Sequence, residues 1–588
     1  MVRNCFRKND SLLRQLLAYF LWLSPLLAYP LVWLRPFYGK VPLWGDVQFI
    51  SSHVTGLIAV AIVLLYPERV KKLFTKSPAR YWMISSAAAA IIAMANYIIF
   101  PGSPMVLATV LQTLCLPLAG AALAPQIRRA ALPCGAVCAV VLIVFTATGD
   151  RFLTGFTGNW NWNMTMICAT LPALTVILFP KKHPFIIAGI ISSMFLAAVF
   201  FFIPEIAPRG TVAAMILASL CAPVIRKINR ERRSTALVGI ALAIGFLFFS
   251  TINAPIAEKV NDSRFQLWKS SLNMVKEHIF TGCGPGRFEQ AVRSYMTKEY
   301  FFTDFSATRH PHPHNELLLY ISEFGIAGAA VFILFCGSAL NKSSHRKDRP
   351  SRWMAWMFLF LALHGQVDVL LSTPLAGCWF LLSGGALAAR GAGKSQVKAP
   401  HLRTILAAAS ALGAVIFAVS IFSATSHLRE AKLSLLKNDT MTAKKHLDTS
   451  LEKLALPEAR YITAQIQLFN LKDPAEAVIQ LFKLESDVCG GYLHSYGLTA
   501  RALTALGKFA EAKEFFALER QAYPYSVLYA GFELAALELS RASASERAEA
   551  KARLIRNLEL RDIPLSEVNR FHRDAALDDA PIPWGKLK

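Results

Sequence analysis

From Leu12 to about Thr425 the chain alternates long apolar runs with short loops, and its basic residues fall on every second loop. Apolar runs of about 18 or more residues read as membrane helices, because ~20 residues rising ~1.5 Å each cross the hydrocarbon of a bilayer. About thirteen runs are read, at 14–34, 48–66, 81–100, 104–124, 131–148, 163–180, 185–203, 210–225, 235–252, 315–340, 353–372, 374–389 and 404–424. The even-numbered connections carry Arg69, Lys71, Lys72, Lys76 and Arg80; Arg128 and Arg129; Lys181 and Lys182; Arg226, Lys227, Arg230, Arg232 and Arg233; Lys342, Arg346, Lys347, Arg349 and Arg352; and Arg390, Lys394, Lys398 and Arg403. The short opposite loops carry only Arg35, Lys40, Arg151 and Arg209. Lys and Arg collect in cytoplasmic loops. The N-terminus is therefore expected inside, and the loop 253–314 and everything after 424 outside.

The expected fold is all-α: a polytopic membrane helix bundle followed by a separate helical domain. Residues 1–252 would hold the first nine spans, 253–314 an outer loop, 315–424 the last four spans, and 425–588 the outer helical domain. Hydrophobic residues make up 54% and charged residues only 17% of the 588, lean in charge for a soluble protein. A net charge of +24 would point to nucleic acid in a soluble chain. Here the cations sit between apolar runs, so orientation in a bilayer accounts for them and no nucleic-acid partner is expected. Seven of the ten cysteines (Cys115, Cys134, Cys138, Cys168, Cys221, Cys336 and Cys378) lie in apolar runs, where a free thiol acts as a small hydrophobe. The basic start, Arg3, Arg7 and Lys8, mimics a signal peptide. The apolar run after it is too long for one, so it reads as a first membrane helix.

The polar residues on the outer side are the candidates for chemistry. Arg151 and Arg209 break the inside bias, and Gly158-Asn159-Trp160-Asn161 leads into the sixth span. Trp and Asn are also at home at headgroup level, and Arg can snorkel there. The outer loop holds an amphipathic helix from Ser263, with the stripe Phe265, Trp268, Leu272, Val275 and Ile279 and a capping-box pattern, Ser263 to Gln266. Gly282-Cys283-Gly284-Pro285-Gly286 then makes a tight turn. Arg264 and Trp268 share one helix face, either to stack on each other or to leave Arg264 for an anion. His310, His312 and His314 alternate before the tenth span, but Pro311 and Pro313 favour a threefold polyproline twist that splays them, so no metal is expected. His314, beside Asn315 at the start of a span, fits a general base near pH 7. Glu323 falls inside the span, where carboxylates are usually paired. His364 and Asp368 stand four apart near the outer face, to support a site or to satisfy each other.

His314-Asn315, nine residues, then Gly325-x-x-Gly328 resembles the signature of the O-antigen ligase, polymerase and protein O-oligosaccharyltransferase superfamily. In the same order, Arg151 with Gly158-Asn159-Trp160-Asn161, Arg209-Gly210-Thr211, Arg264-x-x-x-Trp268 with Ile279 through Arg287-Phe288, and His364-x-x-x-Asp368 resemble its other segments. The proline usual just after that acid is displaced to Pro374. The resemblance covers about residues 140–390. It implies a GT-C-like bundle in a bacterial inner membrane, with a periplasmic site and C-terminal domain. It implies metal-independent, cofactor-free, inverting transfer of a glycan from an undecaprenyl-diphosphate carrier to a hydroxyl on a protein (pilin-like) or lipid A-core acceptor. By that analogy His314 is catalytic. Arg209, Arg264, Arg151, Asn159, Asn161, Arg287 and Asn315 bind the diphosphate or substrate, and Glu323, Trp268, His364 and Asp368 support them.

The residues fit that chemistry. Diphosphate leaves without protonation, so fixed cations stabilise its growing charge and no second carboxylate is needed, unlike in a glycosidase.

Beyond Ser426 a period appears. Ala443 and Leu447 recur as Ala477 and Leu481, then as Ala512 and Phe516, at spacings of 34 and 35 residues. That is the tetratricopeptide period, clearest at Gly507 through Ala512, and it predicts a helical solenoid that binds a partner or caps the outer face. Gln521 to Tyr525 resembles the C-terminal region of protein O-oligosaccharyltransferases, which tilts the acceptor towards protein. Transfer of a whole glycan is the first reading and polymerisation of repeat units the alternative. A membrane-anchored scaffold or a transporter is the reading from another class. A transporter should show paired halves with broken helices at the midplane, and here the polar residues crowd the outer rim.

Overall fold

In a computed structural model, the described residues are 2–26, 44–70, 82, 84, 91, 104–148, 160–179, 209–227, 263–296, 312–343, 348–368, 370–371, 374–389, 401–488 and 492–560. Among them every regular element is a helix, as the apolar runs predict. The membrane part contributes α1 (Val2–Leu23), α2 (Trp44–Leu65), α3 (Pro104–Ala122), α4 (Ala124–Thr148), α5 (Trp160–Leu178) and α6 (Arg209–Lys227). The outer loop contributes α7 (Ser263–Glu277) and α8 (Phe288–Val292). Then come α9 (Glu316–Ser343), α10 (Arg349–His364), α11 (Pro374–Ala388) and α12 (His401–Leu436). The spans expected at 185–203 and 235–252, and nearly all of 81–100, fall outside the described residues.

Two described helices are long and apolar enough to cross a membrane, over Ala124–Val144 and Glu316–Asn341. Several helices also turn apolar side chains outward: Leu12 and Leu16 on α1, Val137 and Val140 on α4, and Ile405, Leu412, Ile416 and Val419 on α12 are all exposed. Outward apolar rows of this extent suit lipid rather than water. Two boundaries differ from expectation. The first helix begins at Val2, because nothing in the basic start breaks a helix. The loop expected to carry Arg128 and Arg129 is the opening of α4, since only Leu123 separates it from α3.

Three fully buried tryptophans knit the bundle. Trp22 lies 4.6 Å from Trp379 and 6.3 Å from Trp353, ring centre to ring centre. Each indole N–H donates to a backbone carbonyl on another helix: Trp22 to Ile127, Trp353 to Ala169 and Trp379 to Trp22. Large aromatic area is thus buried with no polar atom stranded. Elsewhere in the bundle, Arg69 donates to Ala122 O (3.0 Å) and Arg128 to Ala386 O (2.9 Å). Both acceptors lie at helix C-termini, where cations are favoured.

The outer loop locks into α9 by backbone. Gly325 breaks α9, with φ 64 and ψ −158. Ile326 N donates to Ile279 O (2.7 Å), and Cys283 N and Gly284 N donate to Ser322 O (2.8 Å) and Glu323 O (3.1 Å). A Cβ on Gly325 would stand 2.4 Å from Phe280 O, and one on Gly282 (φ 66) would stand 2.3 Å from Glu323 C. Helix α7 packs on the same stretch, burying Leu267, Trp268, Met274 and Val275. Leu272 and Ile279, expected on its inner stripe, are exposed. Ser270 and Ser271 are buried in their place, each hydroxyl bonded to the carbonyl one turn back.

Helix α12 runs unbroken from the last expected span into the outer domain, so the boundary expected at 424 lies within a helix. Three helix pairs follow: α13 (Thr440–Lys453) with α14 (Pro457–Gln465), α15 (Pro474–Val488) with α16 (Ser495–Ala505), and α17 (Phe509–Ala522) with α18 (Val527–Leu539). A last helix, α19 (Ala544–Glu559), closes the described chain. The periodic residues Ala443, Ala477 and Ala512 are each the fourth residue of the first helix in a pair, and all three are buried with Leu447, Leu481 and Phe516.

Gly325→Ala forces a side chain into left-handed backbone and into Phe280 O. It should lower the thermal unfolding midpoint in detergent, with at least about 1–3 kcal/mol lost to backbone strain alone.

Candidate active site

Asn315 caps α9. Its Oδ1 accepts from Leu318 N (2.9 Å) while its Nδ2 donates to Gln366 O (2.9 Å), so one amide ends a helix and grips the turn after α10. His314, immediately before, sits at φ 51, in the left-handed region that His visits more readily than most side chains. The strain is held from several directions. Trp268 Nε1 donates to Pro313 O at 2.6 Å, and His314 Nδ1 lies 3.1 Å from Asp368 Oδ1. Asp368 is only 2% exposed and the imidazole 24%. A carboxylate can only accept, so Nδ1 carries the proton, and Nε2 is then the basic nitrogen of the neutral ring.

Asp368 therefore pairs with His314, not with His364 one turn away. The His364 Nε2 instead meets Thr165 Oγ1 (3.1 Å) and Thr211 Oγ1 (3.3 Å), and Trp162 packs edge-on against its ring at 4.7 Å. His364 is a buried tie between α10, α5 and α6. Arg264 donates to Val367 O (3.2 Å), the residue before Asp368. Arg264 and Trp268, weighed above as a stacked pair, thus each hold a backbone carbonyl beside the His–Asp pair.

Glu323 Oε1 accepts from Gly286 N at 2.9 Å, so the carboxylate expected to be paired within the span secures the glycine turn. Arg287 follows that turn and stands just before α8. His312 packs edge-on to His314, with ring centres 4.8 Å apart. Arg209 is the first residue of α6 and Asn161 the second of α5; their side chains, and all of Arg151, Asn159 and His310, lie outside the described residues.

Two contributors escaped the sequence reading. Glu316 accepts from Leu370 N (2.8 Å) and Leu371 N (3.2 Å) through Oε2. The signal for it was an acid at the first position of an apolar span. Arg293 joins the outer loop to the C-terminal domain. It pairs with Glu289 (3.1 Å), donates to Leu493 O (3.1 Å) and lies over the Tyr523 ring (5.2 Å). Tyr523 belongs to the Gln521–Tyr525 segment. In the same loop, burial pushes the Tyr295 hydroxyl up to about 12, helped by its bond to Glu277. Burial likewise pushes the Cys283 thiol up, with Glu323 adding to it and Arg287 opposing.

An all-helical bundle presents a His–Asp pair with its carboxylate buried, and a loop bearing arginines, at the end of one long apolar helix. The O-antigen ligase family model matches residues 89–333, so over that stretch the chain is similar to the O-antigen ligases, a membrane-integral family. The match takes in Arg209, Arg264, His314, Gly325 and Gly328; His364, Asp368 and the C-terminal helix pairs lie beyond it. No curated protein matches the chain significantly.

Trp268→Phe keeps an aromatic side chain but strips Pro313 O of its donor, so stability should fall by about 1–3 kcal/mol in thermal unfolding. A raised thiol pKa leaves less thiolate at pH 8. Cys283 in the folded chain should therefore alkylate at least about tenfold more slowly than in the unfolded chain, as read by peptide mass spectrometry.

Proposed function

We propose that the chain transfers a glycan en bloc from an undecaprenyl-diphosphate carrier to an acceptor hydroxyl at the periplasmic face of the inner membrane. The observation that carries this reading is His314 Nδ1 against the buried Asp368 carboxylate at the outer end of α9. The acceptor oxygen attacks C1 of the first sugar as the bond from C1 to the diphosphate oxygen breaks. The bonding pair leaves with the diphosphate, and the hydroxyl proton passes to His314 Nε2. Asp368 keeps the ring in the tautomer that can take that proton and favours the imidazolium that results. A single displacement inverts the anomeric centre. Arg209, Arg264, Arg151 and Arg287, with Asn159 and Asn161, hold the diphosphate, since guanidinium forks match phosphate oxygens and fixed cations answer the charge that builds there. Neither metal nor cofactor enters the scheme. The C-terminal helix pairs act as a tetratricopeptide-like wall that receives a protein acceptor, a reading supported by the contact between Arg293 and Tyr523.

In membranes supplied with a short undecaprenyl-diphosphate glycan, the wild-type protein should move the glycan to an endogenous fraction followed by mass. Removal of a positioned base costs about 10²–10⁴-fold, so His314→Ala should lose at least about a hundredfold at equal expression. Arg209→Ala should also lose transfer. Normal transfer by both variants would overturn the site; label in lipid rather than protein would redirect the acceptor.

A further inference from the structure

We propose that Glu316 is a positioning residue for the transfer: its carboxylate holds Leu370 and Leu371, beyond the turn that ends α10, and so keeps Asp368 in register with His314. Glu316 is the first residue of α9, two after His314, and is fully buried. Burying a carboxylate is expensive unless hydrogen bonds repay it, and among the described residues this one forms no ion pair. Its bonds go to one place. Glu316 N donates to Gly365 O (2.6 Å), and Oε2 accepts from Leu370 N and Leu371 N. Its neighbour Asn315 donates to Gln366 O. Both ends of the turn are thus tied to two consecutive residues, with Asp368 at the centre. On its own helix side the Asp368 N–H donates to His364 O (3.1 Å). An apolar side chain could fill the same volume but could not accept from Leu370 N and Leu371 N, two buried-turn amides that need an acceptor. The acid also sits in the first turn of α9, where negative charge is favoured. Asn315 and Glu316 therefore set the distance between the two members of the His–Asp pair, which stand 54 residues apart in the chain.

The activity arm of the test rests on the transfer reading; the exchange arm does not. Glu316→Ala, Glu316→Gln, Asp368→Asn and the double variant Glu316→Ala/Asp368→Asn would be compared in the full chain, in nanodiscs. Backbone hydrogen exchange over 365–371 and the kcat and KM of transfer would be read for each. In Glu316→Ala the amides of Leu370 and Leu371 should exchange at least about tenfold faster, and kcat should fall about a hundredfold with KM little changed. Glu316→Gln keeps an acceptor oxygen and should stay near wild type in both readings. The double variant should be no slower than Asp368→Asn alone, because both changes remove the same positioned group. Unchanged exchange in Glu316→Ala, a Gln variant as impaired as the Ala variant, or losses that multiply in the double variant would each overturn the proposal. If the Ala variant does not accumulate, Glu316→Asp, whose reach is one methylene shorter, is read in the same way. If wild type transfers nothing, the transfer reading falls, and unchanged exchange would still sink the positioning role by itself.

Discussion

The outer half of the molecule depends on one broken helical hydrogen bond. In an unbroken α9, Ile326 N would bond to Ser322 O. At Gly325 the backbone turns out of helical geometry, Ile326 N reaches Ile279 O instead, and Ser322 O takes Cys283 N. The outer loop thus supplies the bonds that the break removes. Backbone polar groups at membrane depth must be satisfied by protein, so neither the break nor the loop conformation is stable without the other. Glu323 extends the same arrangement through its carbonyl and its carboxylate, to Gly284 N and Gly286 N. The signature spacing from Asn315 to Gly325 and Gly328 has a structural meaning here. It is the length of helix between the residue that begins α9 and the residue where the loop grips it.

From that grip the site assembles in sequence. Helix α7 brings Trp268 to the carbonyl of Pro313 and Arg264 to that of Val367. Both contacts are to backbone, so they fix where the chain runs on either side of the His314–Asp368 pair without consuming the pair's own hydrogen-bonding groups. Beneath it, His364 with Thr165 and Thr211 joins three helices in a buried polar tie. The His314–Asp368 pair is therefore held by rigid elements, as the proposed transfer would demand when small misplacements are costly.

Much of this was written locally in the sequence. The helix starts at 440, 474 and 509 follow directly from the spacing of Ala443, Ala477 and Ala512. His314 and Asn315 stood out because a polar pair opened an apolar run. What local reading could not supply was partnership. His364 and Asp368 satisfy the helical i, i+4 rule, yet α10 ends at His364, and the following turn carries Asp368 to a residue 54 positions earlier. The buried face of α7 was misjudged for a related reason. Serines on a helix can satisfy their own hydroxyls on the carbonyl one turn back, so Ser270 and Ser271 go inside while Leu272 faces out. Glu316 remained hidden because its partners, two backbone amides, have no signature in residue type.

Helix α12 spans 36 residues without interruption, about 54 Å at the rise of an α-helix. Roughly 30 Å of that suffices for a hydrocarbon layer, and in the remainder Leu428, Ala431 and Leu435 pack with Ala443 and Leu447, so the helix pairs are joined to the apolar stretch by a rod rather than a string. A string would let the outer domain sample a volume set by chain entropy, and would give whatever it carries an effective concentration that falls as the string lengthens. A rod has no such search. The bearing of the helix pairs is fixed by that packing and by the contact of Arg293 with Leu493 O and the Tyr523 ring, so what can approach the His314–Asp368 pair becomes a question of clearance.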